Sequence, residues 1–168
     1  GAVSAAARAA LALSATAAVG GAPAPERVFV LCDGDLAQSA DQLGALVEVV
    51  VRGEADLAVA VFARRVGGGV GLALGFARWA IRARCGLQTR APISGQRALS
   101  QRTLEQVLPF ASGYGMEAGM TIDAVRSGAR VLELELELAH RASGRSLAGF
   151  LHRARQLADF VRVYLWRR

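Results

Sequence analysis

An α/β domain built on a mostly parallel sheet is the fold class that the sequence predicts, and three observations predict it. Short continuous apolar runs at residues 27–32 and 56–62 have the composition of strands buried on both faces. Segments with helical apolar spacing lie between and after them. The two kinds alternate along the chain, as βα units do, instead of falling into separate strand and helix regions.

Residues 2–18 are rich in alanine and other good helix formers, and Gly20 and Gly21 end that helix before a loop holding Pro23 and Pro25. Residues 27–32 then read as a buried parallel strand, with Asp33-Gly34-Asp35 at its carboxyl end. Ser39 or Asp41 caps a helix that reaches Val51. A second buried strand covers 56–62, a triple-glycine turn 67–69, and a helix 70–83. Residues 93–99 form a short strand after Pro92, and the helix 101–107 stops before Pro109. Gly113 and Gly115 make a turn, and the helix 116–127 ends at Gly128. In 129–138, Leu134, Leu136 and Leu138 alternate with Glu133, Glu135 and Glu137, which predicts a half-exposed edge strand. The last helix, 146–165, carries an apolar stripe through Phe150, Leu157, Val161 and Leu165.

The 168 residues suffice for one domain with a real core, and 53% hydrophobic against 20% charged residues excludes a disordered chain. All 20 basic residues are arginine; lysine and asparagine are absent, so a Walker-type phosphate loop and N-glycosylation are excluded. Residues 1–140 hold 13 arginines and 13 acids, whereas 141–168 hold 7 arginines and one acid, Asp159, so the net charge of +6 resides in the tail. Such a tail suits an anionic partner, either a phosphate or an anionic membrane surface. It lacks the interleaved aromatics of a nucleic-acid binder, and no nucleic acid is expected. Cys32 and Cys85 lack the paired spacing of a zinc site or a disulfide framework. No apolar run reaches the roughly 18–20 residues that cross a bilayer. The expected location is the cytoplasm, with peripheral contact at the inner face of the membrane.

Two carboxylates at i and i+2 after a buried strand repel each other unless a cation lies between them. A hard divalent ion with oxygen ligands is the natural partner for Asp33 and Asp35. Helix and turn capping by the same two residues is the alternative. Haloacid-dehalogenase-type phosphatases open in a similar way, but Ala37 stands at their next motif position and the lysine they need is missing.

Downstream segments narrow the choice. Ile93-Ser94-Gly95-Gln96-Arg97-Ala98 resembles the S-G-x-R-A segment of family-two glycosyltransferases. Gly113-Tyr114-Gly115-Met116-Glu117 is similar to their G-[YF]-G-x-E segment, and residues 139–146 resemble the H-R-x-x-G-x-S stretch before their last helix. Order and spacing resemble the polyprenyl-phosphate (dolichyl-phosphate-mannose-synthase-like) branch. The resemblance implies a GT-A (Rossmann-like) fold over residues 1–145, followed by a basic amphipathic helix at 146–168. It implies a nucleotide-diphosphate sugar as donor, held with Mg²⁺ or Mn²⁺, and an acceptor such as a polyprenyl phosphate. Asp33, Asp35 and His140 would hold the metal, although Ala37 departs from the glutamine that often completes that motif. Glu117 would be the catalytic base or an acceptor partner. Arg97, Arg141, Arg145, Ser94 and Gly95 would surround the phosphates. The family's opening strand, which holds the nucleotide base, has no counterpart here, and about 50 amino-terminal residues are missing by comparison with the usual domain size. Residues 28–31 and 59–62 are then expected to lack a neighbouring strand. The alternative function is a non-catalytic remnant that binds metal or a partner without turnover.

Overall fold

The computed structural model describes residues 2–16, 27–33, 37–63, 72–138, 158–159 and 161–165. Helices and strands alternate: α1 (Ala2–Thr16), β1 (Val28–Leu31), a 3₁₀ segment (Ala37–Leu43) leading into α2 (Gly44–Val51), β2 (Leu57–Phe62) and α3 (Leu72–Cys85) come first. β3 (Arg97–Ser100), α4 (Gln101–Val107), a 3₁₀ turn (Gly113–Gly115), α5 (Met116–Arg126) and β4 (Val131–Leu136) follow.

The four strands form one mixed sheet in the order β1-β3-β2-β4. β2 and β4 pair in parallel, whereas β3 is antiparallel to both β1 and β2. β1, β2 and β4 therefore run in one direction, and β3 alone is reversed. This arrangement corrects two expectations about pairing. β1 is not a buried strand between parallel neighbours: it lies at an edge of the described sheet, its hydrogen-bonded partner is antiparallel, and Val30 is exposed. β2 lacks no neighbour, since β3 and β4 flank it.

Period-2 alternation divides the core. Leu57 and Val59 of β2 and Leu99 of β3 face Ala7, Leu104, Val107, Met120 and Ala124, which come from α1, α4 and α5. Ala58, Ala60 and Ala98 face the other way, onto Leu46, Val49 and Val50 of α2. Small residues on that face let α2 lie close to the sheet. A further layer joins Ala77 and Ile81 of α3 to Ala118 and Ile122 of α5 and to Val163.

Several local rules hold. Ser100 ends β3 and caps α4, its Oγ accepting from the Thr103 amide at 3.2 Å. The predicted Ser39 or Asp41 cap is replaced by Leu43, which makes no side-chain cap bond at α2. β4 is an edge strand, but Glu133 is not simply solvated. Its carboxylate accepts from the amides of Arg90 and Ala91 and from the Thr89 hydroxyl. Glu135 pairs with Arg90 at 2.5 Å, so the two acids anchor the loop that leads to β3.

The helical tail residues 161–165 pack on the domain. Val163 is buried, the Tyr164 ring lies 4.7 Å from that of Trp79, and the Arg84 guanidinium sits 4.0 Å over the Tyr164 ring. Of the two uses open to an apolar stripe, these residues take the packed one. No helix among the described residues is long and apolar enough to cross a membrane. Most of the basic tail, including Arg141 and Arg145, lies outside the described residues.

Leu57 is fully buried on the central strand. Leu57→Ala should cost about 2–5 kcal/mol in urea unfolding, the range for a buried leucine whose cavity does not collapse. A cost below ~1 kcal/mol would be incompatible with this packing.

Candidate active site

The carboxyl ends of β1 and β2, the amino end of β3 and the carboxyl end of β4 share one end of the sheet, because β3 is reversed. Open α/β sheets bind ligands at this end. α5 also begins here, with Glu117 in its first turn.

Strand register brings the predicted site residues together. Leu31 pairs with Arg97, so continuing the antiparallel ladder sets Asp33 opposite Gly95. A Cβ at Gly95 would lie 3.1 Å from both carboxylate oxygens of Asp33. That is closer than a side chain is normally accommodated, so glycine here lets the carboxylate lie against the chain. Gln96 Nε2 donates to Asp33 Oδ2 at 3.0 Å. Asp33 itself is exposed.

Below this carboxylate lies a buried polar layer. Arg97 is 1% exposed; its Nε donates to the Ser94 carbonyl at 2.7 Å and its Nη1 to Thr121 Oγ1 at 2.9 Å. Thr121 Oγ1 in turn donates to the Glu117 carbonyl at 3.0 Å. Burial pushes the Arg97 guanidinium down to about 10, still charged at neutral pH, with Glu117 and Glu133 opposing that shift. Arg97 was expected on a phosphate. Its burial instead puts its charge inside the domain, beside Thr121 and within the field of Glu117.

The Glu117 carboxyl is raised above its ordinary value, chiefly by burial. Its own backbone amide and Arg97 oppose the rise, while the Asp33 charge adds to it.

Three buried polar atoms of this layer, Ser94 Oγ, Gln96 Oε1 and Arg97 Nη2, have no hydrogen-bond partner among the described residues. Such groups are costly and concentrate where a ligand or ordered water completes them. Among the described residues no cluster of three or more His, Cys, Asp or Glu side chains forms a metal cage. Asp35, His140, Arg141 and Arg145 lie outside those residues, so Asp33 is the one described member of the expected ligand set. Its hard oxygens, beside an uncharged amide and a glycine, suit Mg²⁺ or Mn²⁺. Sequence reasoning did not single out Gln96 or Thr121. Gln96 fell on the variable position of a motif, and Thr121 is an ordinary helix residue until β3 is placed beside it.

The chain matches no protein-family model, and no curated protein matches it. Solved structures do match. Glucosyl-3-phosphoglycerate synthase from Mycobacterium tuberculosis, in its complex with phosphoglyceric acid, is 29% identical with a TM-score of 0.61 over 83% of this chain. The same enzyme with Mn²⁺, uridine-diphosphate-glucose and phosphoglyceric acid is 30% identical in one complex, with a TM-score of 0.58, and 27% in another, with a TM-score of 0.60. The fold is that of a GT-A glycosyltransferase. The chain spans about half the length of these solved structures, 49% of each. A polyprenyl-phosphate acceptor finds no support among these complexes.

Because the Glu117 carboxyl is raised, its ionised form costs the folded state stability as pH climbs above the ordinary carboxyl value of 4.5. Glu117→Gln should therefore raise the thermal midpoint at pH 7.5. The gain should shrink as pH falls toward 4.5, where the wild-type carboxyl takes up its proton. Melting curves across that range check this; a gain that grows with acidity would contradict the burial.

Proposed function

We propose that the protein is the metal-binding and acceptor-facing part of a glycosyltransferase. It moves a sugar from a nucleotide-diphosphate donor, with UDP-glucose the model donor, onto a small phosphorylated acceptor. The observation that carries this reading is Asp33, held by Gln96 where β1 leaves a GT-A-type sheet, at the end where α5 begins with Glu117. The neighbouring structures hold UDP-glucose, UDP, Mn²⁺ or Mg²⁺, phosphoglyceric acid and glycerol 3-phosphate. Those acceptors favour a small phosphorylated acid or polyol over a polyprenyl phosphate.

Asp33 and Asp35, with His140, would hold Mg²⁺ or Mn²⁺. The cation supplies charge stabilisation to the departing nucleoside diphosphate. The exposed carboxylate of Asp33 is held by Gln96. Glu117, whose carboxyl is shifted toward neutrality, accepts a hydrogen bond from an acceptor hydroxyl and can take up its proton. Arg97 supports this carboxylate from beneath. Ser94 and Gly95 would line the phosphate site, and Arg141 and Arg145 would contribute guanidinium groups for phosphate oxygens.

The test is release of UDP from UDP-glucose, with phosphoglyceric acid as acceptor and Mn²⁺ present. It is run on the 168-residue chain and on a longer polypeptide that adds an amino-terminal nucleotide-binding strand. Acceptor-dependent turnover is expected in the longer form, with weak donor binding and little turnover in the shorter. Asp33→Asn should lower turnover by roughly 100-fold or more, since loss of metal-borne charge stabilisation removes several kcal/mol. Turnover that is indifferent to Mn²⁺ and to Asp33 would refute the assignment.

A further inference from the structure

We propose that Gln96 is a positioning residue for the Asp33 carboxylate, holding it with a neutral donor so that its charge stays available to a divalent cation. The inference rests on the metal-binding reading of Asp33 and adds a residue to it.

Asp33 follows an edge strand and is exposed, so little of its own surroundings would hold its side chain in one rotamer. Gln96 is the opposite: it is 1% exposed, and its carbonyl accepts from the Ala60 amide at 3.0 Å, which ties its backbone to the central strand. A buried residue thus grips an exposed one through Nε2 and Oδ2, 3.0 Å apart. Gly95 leaves room for the same oxygens, since a Cβ there would come within 3.1 Å of both. The neighbouring cation Arg97 is directed elsewhere, to Ser94 and Thr121. The amide orients the carboxylate without neutralising it; a guanidinium in the same place would compete with the metal. Partners of metal ligands act in this way, and their loss typically weakens metal binding by about 10–100-fold.

The second observation is Gln96 Oε1, buried and without a partner among the described residues. A glutamine kept only for packing would be improved by an apolar side chain of similar shape, because the unmet acceptor costs stability. Its retention beside Asp33 is accounted for by the donor half of the amide.

The test uses Mn²⁺ alone as probe, titrated into the protein and followed by electron paramagnetic resonance. Wild type should bind, and Asp33→Asn should abolish binding. Gln96→Met, of similar length but lacking the donor, should weaken binding by about 10-fold while its thermal midpoint does not fall. Lost affinity without lost stability is the signature of positioning. Unchanged Mn²⁺ affinity in a folded Gln96→Met protein overturns the Gln96 inference and leaves the metal reading of Asp33 standing. Wild type that fails to bind, or binds equally after Asp33→Asn, overturns both. Should Gln96→Met not fold, the Gln96 side-chain amide is followed by NMR in wild type and in Asp33→Ala. A clear displacement of its proton resonances supports the contact, and coincident resonances overturn it.

Discussion

The reversed strand β3, held between β1 and β2, is the constraint on which the site depends. All four of its residues are buried, and it makes ladder bonds on both sides. Because it runs against its neighbours, its amino end lies at the carboxyl ends of β1 and β2. The segment Ser94–Arg97 therefore arrives where Asp33 leaves the sheet. A one-residue slip would turn every side chain of β3 to the opposite face. Leu99 would leave the α4–α5 core, and Gln96 would turn away from Asp33. The same packing that specifies the register thus specifies the geometry around the carboxylate.

Around this strand the molecule tolerates polar burial that a purely structural core would avoid. Arg97 retains one unpartnered nitrogen among the described residues, and Gln96 and Ser94 each retain an unpartnered oxygen. Glu117 is a carboxylate in a desolvated position, relieved by Arg97 and opposed by Asp33. Ser94, Gln96 and Arg97 adjoin the amino end of β3. At the other end, Asp56 makes a well-satisfied pair with Arg130, accepting from its amide at 2.8 Å and from Nε at 3.0 Å.

Most elements were legible because their signals are local. The buried run at β2 and the glutamate–leucine alternation of β4 each follow from side-chain period within a few residues. The candidate site was legible in part: Asp33, Ser94, Gly95, Arg97 and Glu117 stand in motifs, and β3 and α5 bring them to one end of the sheet. Their division of labour was not legible. Arg97 reads as a surface phosphate ligand, and its burial depends on where α5 and the loop held by Glu133 come to rest. Gln96 reads as a spacer, and its bond to Asp33 depends on a pairing between segments more than sixty residues apart in sequence.

By itself the sequence determined the alternation of strands and helices, the carboxylate at a strand's end, the acid opening α5, and a basic tail. These are properties of composition and spacing, which act over one or two turns of chain. Tertiary structure alone decided that β1 is an edge strand, that β3 runs backwards between two others, and that Gln96 rather than an arginine grips Asp33. Strand partners, register and desolvation arise from contacts between distant segments, and no local pattern encodes which apolar run will become the neighbour of which.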